Sequence, residues 1–199
     1  MLQARRRPDA TSDPEGDALV TRVIGGDREA FAIVVKRFGA SLHRIAYRML
    51  GDASEAEDVA QEALLRLWNM GERWESGRAG LAAWLKRVTV NLCLDRIRRR
   101  RFVSEEEVPE RIDDAASADE AMDSERLRAV AIGCIQRLPD RQRAAIVLTY
   151  YEEMPNSQAA ALLDMQIKAF ESLLHRARLA LRGAMLASGM IDVAEGGQV

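Results

Sequence analysis

Between residues 102 and 125 the chain carries ten acidic side chains against one basic, with Pro109 among them. A stretch this charged and this poor in apolar residues buries too little surface to offset the entropy of ordering it, so it reads as a solvated, flexible linker. No single core can run through it. The 199 residues therefore divide into two small blocks. Aromatic residues are only 5% of the chain, there are 5 Pro, and long stretches are rich in Ala, Leu, Arg and Glu, a composition that favours helices over a sandwich or barrel. The expectation is an all-α protein of two small helical domains, over residues 17–101 and 126–187, with flexible tails at 1–16 and 188–199.

The first block is punctuated clearly. Leu19, Val20, Val23 and Ile24 form a short amphipathic segment that ends at Gly25-Gly26, and Asp27 stands where an N-cap opens the next helix. Phe31, Val34, Val35, Phe38, Leu42, Ile45 and Met49 then recur at the spacing of a buried helical stripe, closed by Gly51-Asp52. Ser54, with Glu57 three residues later, has the form of a capping box for a third helix to Trp68, with Val59, Ala63, Leu64, Leu67 and Trp68 inward. Residues 69–80 contain three glycines and no periodicity, a long loop for a compact helical domain. A fourth helix from Leu81 to Arg101 aligns Leu81, Trp84, Leu85, Val88 and Leu92, and ends in five basic residues within six, Arg96 and Arg98–Arg101.

In the second block, a helix near Glu125–Arg137 is followed by a Leu138-Pro139-Asp140 break, with Pro139 suited to a first helical turn, and a helix to about Glu153. Asn156–Leu163 and Ile167–Leu186, separated by Asp164-Met165-Gln166, have the proportions of a helix-turn-helix. Ala159, Ala160 and Ala161 permit close approach. The last helix is expected to bury Ile167, Phe170, Leu174, Ala177 and Leu181 and to present Gln166, Lys168, Glu171, Ser172, His175, Arg176 and Arg178, side chains suited to base edges and phosphates. Two packed helices of a plain bundle share this spacing, so DNA binding and simple packing both remain open at this point.

Catalytic constellations are missing. His43 and His175 are the only histidines, there is no Gly-rich phosphate loop, and Cys93 and Cys134 are far apart in different helical stretches. The expectation is a non-enzyme with no metal site and no cofactor. Arg5-Arg6-Arg7 is not followed by the apolar core of a signal peptide, and nowhere do about 18 apolar residues run together. A cytoplasmic protein without membrane insertion is expected. The formal net charge of −2 conceals its layout: residues 1–101 hold 19 basic against 14 acidic side chains, and residues 126–199 hold 9 against 7.

Four stretches in order resemble one family. Glu55-Ala-Glu-Asp-Val-Ala-Gln-Glu-Ala-Leu-Leu-Arg-Leu-Trp68 is similar to the polymerase-binding helix of bacterial sigma factors of the extracytoplasmic-function group, and Ala83-Trp-Leu-Lys-Arg-Val-Thr-Val-Asn-Leu-Cys-Leu-Asp-Arg-Ile-Arg-Arg99 resembles their promoter-melting, −10-reading helix. Leu138-Pro-Asp-Arg-Gln-Arg143 with Leu148-Thr-Tyr-Tyr-Glu-Glu153, and the helix pair over 158–178, are similar to the family's fourth domain. The similarity spans about residues 17–187.

The resemblance implies a chain that joins core RNA polymerase, through the clamp helices and flap of its large subunits, and reads the −10 and −35 elements of promoter DNA under the control of an anti-sigma factor. Asp58, Gln61 and Glu62 would grip the basic clamp helices. Arg87 and Asn91, four apart, would meet the melted strand, and Asn offers paired hydrogen bonds to a base edge. Trp74 would either stack on a flipped base or fold back onto its own domain. Arg96, Arg98 and Arg99, with the two arginines after them, would either hold phosphates or solvate a helix end.

The −35 contacts would come from Gln166, Lys168, Glu171, Ser172, His175, Arg176 and Arg178. Two departures stand out: Asp164 occupies the turn where the family commonly has Gly, and Glu171 and Leu173 replace common basic residues. Glu171 either accepts a bond from a cytosine amino group or pairs with His175 or Arg178. The alternative function is a helix-turn-helix regulator that never joins polymerase; it leaves the 55–68 and 83–99 stretches without a purpose.

Overall fold

The computed structural model describes residues 13–70, 74, 80–104 and 120–191. Among these, eight α-helices and one π-helical turn occur and no strand. In the first block, α1 (Pro14–Ile24), α2 (Arg28–Leu50), α3 (Ala53–Trp68) and α4 (Leu81–Ser104) pack around the long α2. The second block comprises α5 (Glu120–Gln136), α6 (Asp140–Ile146), the π-turn Val147–Tyr151, α7 (Asn156–Leu162) and α8 (Ile167–Ala187).

Caps explain most boundaries. Asp27 accepts from the backbone N–H groups of Glu29 and Ala30 at the start of α2, as its position predicts. Those bonds, the Ala30 one foremost, with help from Arg22, hold the Asp27 carboxyl below its usual range. Two starts differ from expectation. α1 begins inside the expected tail, because Asp13 caps Gly16 N and Pro14 fills a first-turn position that needs no donor. α3 is capped by Asp52, which accepts from Glu55 N at 2.8 Å; Asp52 stands two residues before Ser54 and takes the capping role expected of it.

The acidic segment is also shorter than its charge suggests: α4 runs on to Ser104 and α5 starts at Glu120. Carboxylates at the start of a helix complement its dipole, so acidity alone does not exclude a helix there. In α8, Phe170, Leu174 and Ala177 are buried as expected, but Ile167 is 40% exposed and Leu173 is buried. The inward stripe is therefore rotated by one residue at its beginning. Val35 of α2, expected inward, is exposed, and Trp68 is half-buried with its ring edge against Phe31.

The blocks meet at the C-terminal ends of α2 and α5. Arg143 of α6 is buried and donates from Nη1 to Met49 O and from Nη2 to Gln136 O and Leu138 O. Beside it Gly51, at φ +75°, closes α2 through its N–H to Tyr47 O, and a Cβ at this position would overlap the Gln136 side chain. Arg48 lies over the Tyr151 ring, 4.3 Å from its centroid. Gly51→Ala should lower unfolding stability by about 1–2 kcal/mol, from the left-handed backbone alone, measured by urea titration of helicity; an unchanged midpoint would contradict this account of the α2 terminus.

Candidate nucleic-acid interfaces

The outer face of α3 exists because Val59, Ala63 and Leu67 take the inner one, all fully buried. Asp58 and Gln61 are exposed, and Gln61 Nε2 donates to Glu57 Oε1 at 3.1 Å. Glu62 is partly covered: Arg66 reaches its Oε1 at 2.8 Å, and Arg96 of α4 lies 3.6 Å from its Oε2 and 3.9 Å from Asp58 Oδ2. The three acidic-face residues are thus together, flanked on one side by intramolecular cations.

The basic end of α4 splits in two. Arg96 donates to Glu55 O at 3.1 Å besides its ion pairs with Asp58 and Glu62, and Arg100 pairs with Glu55 and donates to Leu50 O. Both tie α4 to α3 and the end of α2. Arg98 and Arg99 are exposed; Arg98 lies 3.7 Å from Asp95, one turn back. Of the arginines assigned to phosphates, Arg96 and Arg100 are bonded within the first block, and Arg101 is paired with Asp140 of the second.

Trp74 is half-buried, donates from Nε1 to Asp17 Oδ1 at 3.1 Å, and meets Trp84 edge-on at a centroid distance of 6.1 Å. Of its two readings the fold-back onto the domain is the one present. The rest of the 69–80 loop, apart from Asn69, Met70 and Gly80, lies outside the described residues.

Arg87, Asn91 and Arg98 share one face of α4, at four- and seven-residue steps, and that face is turned to the second block. Arg87 pairs with Asp164 in the turn between α7 and α8. Asn91 lines a cleft of about 490 Å³ with Leu94, Asp95 and Arg98 of α4 and Asp140 and Arg141 of α6. One step around the helix, Lys86 Nζ lies 2.7 Å from Glu152 Oε2, which also accepts from Ser41 Oγ at 3.3 Å. At the far end Arg101 meets Asp140 at 2.8 Å.

In the second block, Gln166, Lys168, Glu171, Ser172, His175, Arg176 and Arg178 are all exposed. Asp164 adopts φ +53° and makes the turn without glycine. Ser172 Oγ donates to Lys168 O and Arg176 Nε to Ser172 O. Among the described residues Glu171 forms no ion pair with His175 or Arg178, so the intrahelical alternative is not the arrangement adopted. An unpaired acceptor on this face suits a donor such as the cytosine amino group.

Burial pushes the Cys93 thiol up to about 12, leaving it protonated, and no group of three His, Cys, Asp or Glu capable of holding a metal occurs among the described residues. No described helix is long and apolar enough to cross a membrane. Sequence reasoning passed over Lys86, Glu152 and Arg143. For Arg143 a signal existed: it falls on the inward stripe of α6, next to Ala144 and Ile146, where a charge must find partners. Arg96→Ala should cost about 1 kcal/mol of stability through the bonds to α3, whereas Arg99→Ala should shift the urea midpoint negligibly; equal effects would refute this division of the basic tract.

Comparison with known proteins places both blocks. Residues 34–103 match the family description Sigma-70 region 2, and residues 129–181 match Sigma-70, region 4. The chain is 31% identical over 174 residues to the ECF RNA polymerase sigma factor SigW of Bacillus subtilis (strain 168), covering 82% of this chain and 92% of that one. Among solved structures it resembles CnrH, in complex with the cytosolic domain of CnrY, with a TM-score of 0.65 and 24% identity over 86% of this chain and 97% of that one. It also resembles the sigma factor RpoE in complex with the anti-sigma factor NepR from Bartonella quintana, with a TM-score of 0.61 and 23% identity over 78% and 96%.

Proposed function

The chain belongs to the extracytoplasmic-function sigma factors of the sigma-70 family, and on that premise we propose how its surfaces divide the work. It is a transcription-initiation factor that brings core RNA polymerase to promoters, and it catalyses no bond chemistry of its own. The first block, about residues 17–101, serves core binding and the −10 element, and the second, about residues 126–187, serves the −35 element. The observation that carries this is the Asp58–Gln61–Glu62 face on α3, with Asp58 and Gln61 exposed, in a stretch matched to region 2 and held in the same chain as the exposed polar set of α8. A DNA-binding regulator acting alone has no use for the first of these.

The carboxylates of α3 suit charge-assisted bonds to Arg or Lys on the polymerase clamp. Asp58 is the better anchor, with its side chain 63% exposed and held only by a distant Arg96. On α4, Asn91 reads an unstacked base of the −10 element and Arg87 steadies the strand, while Arg98 and Arg99 neutralise phosphates. On α8, Gln166, Lys168, Glu171, Ser172 and His175 face the −35 major groove, and Arg176 and Arg178 reach its phosphates. A soluble or membrane-attached anti-sigma factor controls access to these faces, in keeping with the complexes in which the two related folds were solved. Its action belongs in the cytoplasm, where the core enzyme is.

Run-off transcription with purified core polymerase tests the whole reading. Promoter-dependent transcripts should require this chain, and their mapped start sites should share two upstream elements; no transcript, with DNA binding retained, would make it a regulator independent of polymerase. Asp58→Ala should weaken core binding about tenfold, the equivalent of one charge-assisted bond, with an unchanged melting temperature. Asn91→Ala should reduce open-complex formation more than duplex binding, and equal losses would contradict its role.

A further inference from the structure

We propose that Asp17 is a positioning residue for strand readout: acting through Trp74, it sets the aromatic end of the row of α4 side chains that meets the melted strand. Asp17 Oδ1 accepts from Trp74 Nε1 at 3.1 Å, and the Trp74 ring stands edge-on to Trp84 with centroids 6.1 Å apart. Trp84 lies three residues before Arg87 and seven before Asn91, which at helical spacing places all three on one side of α4. The aromatic pair is therefore at one end of the row, with Asn91 further along it. α1, which carries Asp17, lies outside residues 34–103, the segment that matches region 2. The hydrogen bond stands on geometry alone; its consequence for DNA rests on the assignment of α4 to the −10 element.

Asp17 is a fixed point, because α1 is held on several sides. Asp13 caps it through Gly16 N at 2.9 Å, Glu15 meets Arg37 of α2 at 3.3 Å, and Leu19, Val20 and Val23 are buried. The same first turn abuts the start of α4: a Cβ on Gly80 would lie 3.1 Å from Asp13 Cβ, and Gly80 O accepts from the Trp84 N–H. A half-buried indole N–H needs an acceptor, and a carboxylate makes the stronger kind of bond. Bonded to α1 and packed on α4, the Trp74 indole has partners on two helices. Without the first of them the ring regains rotamer freedom, which it must lose again when a base meets it. An acid in the first turn also complements the helix dipole, as Glu15 does, so the charge of Asp17 and its acceptor oxygen have separable roles.

Heteronuclear NMR of the isotope-labelled full chain reads the bond. The indole N–H signal lost in Trp74→Phe is that of Trp74. In wild type this proton should exchange with water more slowly than in Asp17→Ala. Asp17→Asn, which keeps an acceptor oxygen, and Glu15→Gln, which removes a first-turn charge away from Trp74, should both keep it protected. Exchange as fast in wild type as in Asp17→Ala overturns the proposal. Far-UV circular dichroism checks that each variant is folded. Should Asp17→Ala unfold, Asp17→Glu, which keeps the charge and displaces the acceptor by one methylene, replaces it, with a smaller effect expected.

Opening of a promoter mapped by run-off transcription reads the consequence, through permanganate reactivity of unpaired thymines around the −10 element in the presence of core polymerase. Asp17→Ala should lower the open-complex yield about fivefold, the equivalent of one net hydrogen bond, with core affinity and duplex binding unchanged. Asp17→Asn should restore most of the yield. Asp17→Ala combined with Trp74→Phe should lose no more than Trp74→Phe alone, because residues that act through one bond are not additive. Full opening in Asp17→Ala overturns the positioning role, as do additive losses or an Asp17→Asn variant as impaired as Asp17→Ala. Failure of the broader functional reading would show separately, as absence of transcripts from wild type with core polymerase.

Discussion

The placement of the two blocks depends on a buried cation bonded to backbone carbonyls of both. The last carbonyls of a helix have no intrahelical donors and carry the negative end of its dipole, and in this chain the ends of α2 and α5 come together. Arg143 fills that position, its guanidinium bonded to Met49 O, Gln136 O and Leu138 O. Leu50 O is met by Arg100 from α4, and Tyr47 O by Gly51 N–H. Each of these donors comes from a different element. The α2 terminus is therefore a junction of α4, α5 and α6, and a small or apolar residue at 143 would leave buried carbonyls without donors, a cost of about 1–3 kcal/mol for each such group.

Once that junction is fixed, the charges of α4 have little choice. Its cations fall on three sides of one helix. Arg96 and Arg100 turn back to α3 and the α2 terminus, Lys86, Arg87 and Arg101 pair with the second block, and Arg98 and Arg99 stay exposed and, among the described residues, without a carboxylate from another element. A count of basic residues treats these as equals, but only the last pair is spare. The same sorting applies to the acids. The near-neutral sum of 29 basic and 31 acidic side chains comes partly from residues 102–125, and partly from carboxylates such as Glu152 that already face cations of the first block.

Much of the fold was legible because it is local. The α2 stripe with its Asp27 cap and Gly51 terminus, and the α7–α8 pair, follow from periodicity and from residues with one strong conformational role. The misses share a cause. Ser54 and Asp52 are both competent caps, and sequence alone does not rank two adjacent candidates. Asp13-Pro14 is a helix start without an apolar stripe before Leu19 to announce it. The exposure of Ile167 and burial of Leu173 are set by the angle at which α8 crosses its neighbours, which a single-helix pattern does not contain. The site residues were proposed by resemblance; Asp58, Gln61 and the α8 set are exposed, whereas Glu62 is partly covered by Arg66 and Arg96. On α4 resemblance does not suffice, because Lys86–Glu152 joins residues 66 positions apart and no local pattern carries a pair like that.

A promoter-reading chain faces a conflict between affinity and restraint. Outward cations such as Arg98 and Arg99 attract any polyanion, and non-specific DNA vastly outnumbers promoters. Restraint by lowering the cation count would weaken specific and non-specific binding alike. Masking the cations with acids of the same chain weakens both only while the blocks touch. The mask then acts as an equilibrium that a partner can bias, with an effect bounded by the difference in that partner's affinity for the two arrangements. Core polymerase would have such a difference if it held the α3 face and the second block at separate points. An anti-sigma factor that bound across the closed cleft would have the opposite one. Two partners of opposite effect then need no separate switch, because the contact between Lys86 and Glu152 is common to both.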